Sequence, residues 1–141
     1  MGRPQSESSP KRVLLVEDNE DAIDIYAATL RHAGYEVVTA PTIADAEAAI
    51  RVQKPDVVVL DCRLPDGDGL GLLERWRKPK GVMSDVPVIV VTASGVRQDM
   101  EAALLAGADV FVHKPCPGNV LVLHIERALS GSRASARLRK V

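Results

Sequence analysis

The sequence predicts a doubly wound α/β domain built on a five-stranded parallel sheet. Short runs rich in Val, Ile and Leu recur five times, and a segment with apolar residues at helical spacing follows each run. The first, third and fourth runs are continuously apolar rather than alternating, which is typical of parallel strands covered by helices on both faces. With 141 residues, of which 46% are hydrophobic, the chain is long enough for one domain with a substantial core.

The first half of the chain supplies three strands and two helices. Residues 1–10 are rich in Ser, Pro and Gln and predict a disordered lead-in, and the domain is expected over 11–130. The predicted strands cover 12–16, 35–39 and 56–60. The first helix ends near Gly34, and its inner face is predicted to hold Ile23, Tyr26, Ala27 and Leu30. The second helix starts at Thr42 with a capping box to Asp45, and its inner face holds Ile43, Ala46, Ala49 and Ile50.

The second half supplies two more strands and three helices. A helix is predicted over 69–77, with Leu70, Leu73 and Trp76 on its inner face, and a polar loop follows over 78–85. The last two strands are predicted over 87–91 and 109–113. Ser94 is predicted to cap the fourth helix, which ends at Gly107 and turns inward Met100, Ala103 and Leu104. Pro117 suits the first turn of the fifth helix, whose inner face holds Leu121, Ile125, Ala128 and Leu129. Residues 131–141 are expected to be a basic tail or linker.

Composition argues against several classes of function. The formal net charge is −1 and only 3% of residues are aromatic, so we expect neither direct nucleic-acid binding nor membrane binding. The two cysteines, Cys62 and Cys116, do not form a disulfide framework, and the histidines lack metal-ligand spacing. Without an apolar run long enough for a membrane span or a signal-peptide core, a cytoplasmic location is expected.

Polar side chains with complementary chemistry follow four of the five predicted strands. Glu17 and Asp18 follow the first strand, Asp61 the third, Thr92 the fourth and Lys114 the fifth. The carboxyl ends of parallel strands meet at one edge of the sheet, so these side chains are expected to converge. Oxygen ligands of this kind suit Mg²⁺, and a carboxylate can act as a nucleophile towards a phosphoryl group. The hydroxyl and the ammonium group can then stabilise the phosphoryl oxygens.

The motifs that carry these residues resemble the receiver domain of response regulators in two-component signalling. The resemblance covers residues 12–129 and rests on Val16-Glu17-Asp18-Asn19, Asp61-Cys62-Arg63-Leu64-Pro65-Asp66-Gly67-Asp68-Gly69, Val91-Thr92-Ala93 and Lys114-Pro115. It implies a flavodoxin-like (βα)5 fold with strand order 2-1-3-4-5. It also implies a signalling protein that catalyses its own phosphorylation and dephosphorylation, rather than an enzyme with a separate substrate.

The resemblance implies a role for each site residue. Asp61 would be the phosphoacceptor, supplied by a histidine kinase or a histidine phosphotransfer protein. Mg²⁺, or Mn²⁺ in its place, would be bound by Asp18 and Asp61 directly, by Glu17 through metal-bound water, and by the backbone carbonyl of Arg63. The phosphoryl group would be contacted by Thr92 and Lys114.

The resemblance also implies a conformational switch. The hydroxyl of Thr92 would move towards the phosphoryl group while the ring of Phe111 turns inward. This change would alter the face made by the fourth helix, the fifth strand and the fifth helix, where a downstream effector would bind.

The sequence departs from the family pattern at several positions. Leu64 replaces a common methionine, and Cys116 replaces the usual phenylalanine after Lys-Pro. Arg63 and Ser94 occupy the two variable positions that tune phosphoryl lifetime, and the direction of their effect is left open. Val110 stands where the winged-helix transcription factors of this family usually carry a second acid after Asp109, so their charged dimer is not expected.

Three other classes of function are weighed against this interpretation. A phosphatase of the haloacid-dehalogenase type needs a general acid two residues after Asp61, where this chain has Arg63. A flavin or nucleotide module needs a Gly-rich or hydroxyl-rich loop after the first strand, where this chain has the acidic run 17–21. A degenerate receiver used as a scaffold is disfavoured by the full set of acids. Whether the chain is a stand-alone receiver, a phosphorelay shuttle or part of a larger protein such as a hybrid kinase stays open.

Overall fold

The computed structural model describes residues 9–93 and 97–131. Most of the expected lead-in and basic tail, together with the predicted cap Ser94, lie outside these residues. Among the described residues, no helix has both the length and the apolar character needed to span a bilayer. The cytoplasmic location expected from the sequence stays a prediction.

Five strands form one parallel sheet. The elements, in chain order, are β1 Arg12–Val16, α1 Glu20–His32, β2 Glu36–Ala40, α2 Ile43–Val52, β3 Val57–Leu60, β4 Arg63–Leu64, β5 Gly67–Asp68, α3 Gly69–Trp76, β6 Val88–Thr92, α4 Arg97–Ala106, β7 Val110–His113 and α5 Gly118–Ser130. The strand order in the parallel sheet is β2-β1-β3-β6-β7. The two short strands β4 and β5 pair with each other as a separate antiparallel hairpin. Without them, the order is the predicted 2-1-3-4-5, which confirms the doubly wound fold.

Burial on both faces of the sheet explains why the central strands are continuous apolar runs in the sequence. Alternate residues of a strand point to opposite faces of a sheet, and here both faces are covered by helices. One core, against α2, α3 and α4, takes the strand residues Leu14, Val16, Val58, Leu60, Val88 and Val90. The other core, against α1 and α5, takes Val13, Leu15, Val57, Val59, Ile89 and Val91. The edge strand β2 is less buried than the central strands, with Glu36 and Thr39 exposed.

Side chains fix where the helices begin. Asn19, Thr42 and Asp68 each precede a helix and accept a hydrogen bond from one of its first free N–H groups. The side-chain oxygen of such a cap replaces an intrahelical acceptor that the first turn lacks. After α1, Gly34 adopts a φ of 102°, the left-handed conformation that favours glycine, and turns the chain into β2.

Two sequence predictions about packing need correction. Met100 and Leu104 were expected on the inner face of α4, but they are 38% and 44% exposed, and the face against the sheet is made by Ala103 and Ala106 instead. Small residues let α4 approach the sheet closely, which leaves the larger side chains at the margin. In α3, Leu72 is fully buried, although the inner face predicted for this helix consisted of Leu70, Leu73 and Trp76. Strand β2 also starts one residue later than predicted, at Glu36.

Arg77 ties together three segments at the amino edge of the sheet. Its guanidinium donates to the backbone carbonyls of Met83, Val86 and Gly107, and it forms an ion pair with Asp109 at 3.0 Å. The same carboxylate of Asp109 accepts from the backbone N–H of Val88, the first residue of β6. The two side chains of the ion pair are only 10% and 14% exposed, so both charges depend on each other for solvation.

We expect Arg77→Met to destabilise the fold by about 3 kcal/mol, because Asp109 would keep a buried charge without its partner. The measurement is the urea midpoint of unfolding. Arg75→Met is the matched control, since Arg75 is 54% exposed and lies 3.6 Å from Glu47. An exposed pair of this kind contributes about 0.5 kcal/mol or less. Equal losses in the two variants would contradict this account.

Candidate functional site

The carboxyl edge of the sheet brings the predicted site residues together through backbone hydrogen bonds. Beyond the paired residues of β1, the N–H of Glu17 donates to the carbonyl of Ala40, and the N–H of Asp61 donates to that of Val16. At the other side, the N–H of Lys114 donates to the carbonyl of Thr92 at 2.8 Å. The sheet therefore sets the positions of these backbones one residue past the end of each strand.

Three carboxylates form the centre of the site. One oxygen from each of Glu17, Asp18 and Asp61 lies within 4.8 Å of the others. Lys114 opposes them, with Nζ 2.6 Å from Oε1 of Glu17 and 3.5 Å from Oδ2 of Asp61. The second oxygen of Glu17 accepts from the N–H of Asn19 at 3.1 Å. Glu17 is thus buried and engaged at both oxygens, whereas Asp18 is exposed.

The charges of the site shift the pKa of Asp61 and of Lys114. Burial raises the pKa of Asp61 above its ordinary 3.8, and the neighbouring Glu17 carboxylate adds to this effect, while Lys114 and the N–H of Arg63 oppose it. Burial alone would lower the pKa of Lys114, but the hydrogen bond to Glu17 and the nearby Asp61 raise it overall. The single positive charge of Lys114 thus lies beside three carboxylates. This donor set fits a hard divalent cation, which prefers carboxylate oxygens.

The hairpin that follows Asp61 packs closely against it. The N–H of Arg63 donates to Oδ1 of Asp61 at 3.3 Å, and the N–H of Gly69 donates to the carbonyl of Cys62 at 2.7 Å. A Cβ at Gly69 would collide with the backbone carbonyl of Asp61. Glycine is required here because the start of α3 lies directly against the residue that precedes the hairpin.

The two predicted switch residues lie on the same side of the sheet. Thr92 is 3% exposed, and Phe111 packs, partly buried, on the core that faces α2, α3 and α4. In the register of β6 and β7, Phe111 lies opposite Val90, two residues before Thr92. Burial raises the pKa of the Cys62 thiol to about 11, and the nearby side chain of Thr92 opposes part of this rise. The thiol therefore stays protonated at neutral pH.

Arg63 is exposed on the hairpin and is not part of the carboxylate cluster. Together with Thr92 and Asp99 it lines a cleft of about 600 Å³. Asp109 is engaged by Arg77 at the opposite edge of the sheet. Ser94 lies outside the described residues.

The structure brings Glu17, Asp18, Asp61 and Lys114 together at one edge, as the strand ends predicted. Sequence reasoning missed two contacts of this region. One is the hydrogen bond from the backbone N–H of Asn19 to the carboxylate of Glu17, two residues earlier. The other is a pair of hydrogen bonds from the start of α2 to Asp66, whose partners are 22 and 23 residues away and left no local signal.

A doubly wound sheet with an acidic cluster at its carboxyl edge defines the class of the protein, and comparison with known proteins gives the family. The model of the response regulator receiver domain matches residues 13–126. The chain belongs to this family, which confirms the resemblance drawn from the sequence motifs.

Three similar proteins illustrate the match. The probable transcriptional regulatory protein TcrX of Mycobacterium tuberculosis is 36% identical over 125 residues, which cover 89% of this chain and 52% of that protein. A putative response regulator from Chloroflexus aurantiacus has a TM-score of 0.82 at 30% identity, covering 87% and 100% of the two chains. The receiver domain of a sensor histidine kinase from Pseudomonas aeruginosa, solved with magnesium in its active-site cleft, has a TM-score of 0.78 at 30% identity, covering 87% and 100%. The chain spans about half the length of the curated relatives it matches.

We expect Asp61→Asn to raise the melting temperature of the metal-free protein at pH 7 by a few degrees. Because folding raises the pKa of Asp61, the folded state binds that proton more tightly, and stability falls as the pH rises from the ordinary 3.8 through the raised value. Neutralising the side chain removes this loss, so the gain should shrink as the pH is lowered towards 4. The measurement is thermal unfolding in EDTA.

The matched control for this variant is Asp85→Asn. The hydrogen bond from Lys54 lowers the pKa of Asp85, so its ionised form stabilises the fold at neutral pH and the substitution should give no gain. A decrease in melting temperature for Asp61→Asn would show that the ion pair with Lys114 outweighs burial and repulsion.

We expect Gly69→Ala and Gly71→Ala to have opposite effects, although both residues lie in the first turn of α3. At Gly69 a Cβ meets the backbone of Asp61, so the substitution should destabilise the fold and displace the site. At Gly71 nothing lies within 4 Å of the added Cβ, and the gain in helix propensity should stabilise by about 0.5–1 kcal/mol. Urea unfolding measures both, and a gain in both variants would contradict the close approach at Gly69.

Proposed function

We propose that this chain is the phosphoacceptor receiver of a two-component or phosphorelay system, in which Asp61 accepts a phosphoryl group from a phosphohistidine donor. The observation that carries the proposal is the placement of Asp61 between two other carboxylates and the ammonium group of Lys114. The donor would be a histidine kinase or a histidine phosphotransfer protein. Catalysis would serve only the protein's own phosphorylation and dephosphorylation.

The transfer follows from the chemistry of these side chains. A carboxylate oxygen of Asp61 attacks the phosphorus atom, a P–O bond forms, and the P–N bond to the histidine breaks, which returns its electron pair to the imidazole. Lys114 lies 3.5 Å from the Asp61 carboxylate, where its charge can stabilise the phosphoryl oxygens. The hydroxyl of the buried Thr92 would donate to the same group.

The acidic cluster would bind Mg²⁺, with Mn²⁺ as a substitute. Asp18 and Asp61 would be direct ligands, the backbone carbonyl of Arg63 a third, and Glu17 would act through bound water. The fit is supported by the closeness of the three carboxylates and by the engagement of both Glu17 oxygens with Lys114 and Asn19. When bound, the ion supplies charge neutralisation at the phosphoryl oxygens.

Phosphorylation would act on partners through Thr92 and Phe111. Both residues lie on the face of the sheet that α4 covers, so a shift of Thr92 towards the phosphoryl group opens space on the side of Phe111. The surface made by α4, β7 and α5 would then bind a downstream effector. Leu104 and Leu105, which are 44% and 88% exposed on α4, supply apolar area for such contact.

The division of the chain is part of the same proposal. Residues 11–130 would form the receiver domain, residues 1–10 a lead-in, and residues 131–141 a linker or tail. TcrX is named as a transcriptional regulatory protein and is about twice as long as the matched part. An output domain beyond this chain is therefore one possible context, and a phosphorelay shuttle is another.

We expect Mg²⁺ and acetyl phosphate to add one phosphoryl group, about 80 Da, to the wild type. Intact-mass analysis measures this, and hydroxylamine should remove the group because it is an acyl phosphate. Asp61→Ala should abolish the addition. Asp85→Ala is the control, since Asp85 is an exposed carboxylate that pairs with Lys54 just before β6, at the other edge of the sheet. Equal labelling of Asp61→Ala and the wild type would overturn the assignment of Asp61.

The metal site is tested separately by isothermal titration with Mg²⁺. We expect Asp18→Ala to raise the dissociation constant about 10-fold or more, because it removes one carboxylate from the cluster. Asp85→Ala should leave the constant unchanged. An unaltered affinity in Asp18→Ala would overturn the proposed ligand set.

A further inference from the structure

Asp66 joins the hairpin after Asp61 to the start of helix α2. Its Oδ1 accepts from the N–H of Ile43 at 2.8 Å, and its Oδ2 accepts from the N–H of Ala44 at 3.0 Å. These two N–H groups belong to the first turn of α2 and have no acceptor within the helix. The carboxylate also lies at the positive end of the helix dipole, and these hydrogen bonds lower the pKa of Asp66.

The hairpin also packs closely against α2 at Gly67. Gly67 has a φ of 151°, and a Cβ there would lie 3.0 Å from Cδ1 of Ile43. The hairpin is therefore seated directly against the first residue of α2. Its other end is fixed by Asp68, whose Oδ1 accepts from the N–H of Leu70 at the start of α3.

The segment at the start of α2 also contacts the loop that carries Glu17. The carbonyl of Ala40, three residues before Ile43, accepts from the N–H of Glu17 at 3.1 Å. Residues 40–44 thus contact the loop that carries Glu17 and the hairpin that carries Arg63. Arg63 lies three residues before Asp66 and pairs with Asp68 across the hairpin, so its backbone moves with the hairpin.

We propose that Asp66 is a positioning residue of the phosphoryl-transfer site, which holds the hairpin so that the backbone of Arg63 faces Asp61. The proposal rests on the function proposed above. Release of Asp66 from α2 frees the hairpin, moves the N–H of Arg63 away from Oδ1 of Asp61 and misplaces the carbonyl of Arg63 as a metal ligand. Asp66 itself contacts neither the phosphoryl group nor the metal.

The chain offers a matched control at the same helix end. The hydroxyl of Thr42 accepts from the N–H of Asp45, so it also caps α2, but this bond does not involve the hairpin. Asp66→Ala and Thr42→Ala should therefore lose similar stability in urea unfolding. Only Asp66→Ala should alter the site. Asp66→Asn keeps one acceptor oxygen and should lie between Asp66→Ala and the wild type.

We expect Asp66→Ala to raise the Mg²⁺ dissociation constant about 10-fold in isothermal titration, the usual effect of losing a group that orients a metal ligand. Labelling by acetyl phosphate should need correspondingly more Mg²⁺, with a smaller change in the rate at saturating metal. In metal-free protein, the amide resonance of Arg63 should shift in Asp66→Ala and stay in place in Thr42→Ala. Thr42→Ala should bind Mg²⁺ as the wild type does.

The outcomes separate this inference from the proposed function. If the wild type binds Mg²⁺ and is labelled, but Asp66→Ala matches Thr42→Ala in affinity and in the Arg63 resonance, the positioning role is overturned and the proposed function stands. If the wild type neither binds Mg²⁺ nor is labelled, both are overturned. Should Asp66→Ala fail to fold, Asp66→Asn gives the same comparison, and an unchanged Mg²⁺ affinity in that variant overturns the role.

Discussion

The close approach of three carboxylates at the carboxyl edge of the sheet is the constraint on which the site depends. Glu17, Asp18 and Asp61 place an oxygen within 4.8 Å of one another, and Lys114 offsets only part of their charge. Burial and Glu17 together raise the pKa of Asp61, which shows that its ionised form is disfavoured in the fold. Such an arrangement persists only if the surrounding backbone cannot relax away from it.

The backbone resists that relaxation because each acid is attached to a buried strand. Val16 and Leu60, which precede the acids of β1 and β3, are fully buried and paired with each other in the sheet register. Burying a side chain of this size contributes roughly 1.5–3 kcal/mol, and displacement of either strand end would lose that contribution. The carboxylates are thus held together at the edge of the sheet where, in the function proposed above, a cation and a phosphoryl group would bind.

The fold and the main site residues could be predicted because their signals are local or follow from topology. Continuous apolar runs indicated parallel strands, and parallel strands place their carboxyl ends at one edge, so Asp61 and Lys114 were expected together although they are 53 residues apart. The hairpin contact of Asp66 could not be predicted in this way. It depends on how far α2 reaches towards the loop after β3, which is set by side-chain packing rather than by pattern.

The error at α4 has a similar origin. Helical spacing identified Met100, Ala103 and Leu104 as one face, but the spacing alone cannot tell how closely the helix approaches the sheet. Small Ala103 and Ala106 allow close approach, and the larger residues then remain at the margin of the interface. Periodicity gives the direction of a face, whereas side-chain volume decides its width.

The two edges of the sheet are held in different ways, and this difference bears on how a change at Thr92 can spread. At the amino edge, Arg77 binds Gly107, just after α4, and Asp109, just before β7, through contacts that are nearly buried. At the carboxyl edge, the first turn of α4 borders an open cleft through Asp99, and Thr92 lines the same cleft. In the switch proposed above, a displacement of Thr92 would therefore meet α4 at the end that Arg77 does not hold. Because packed cores move between discrete arrangements, the response expected of α4 is a pivot about its fixed carboxyl end rather than a shift of the whole helix.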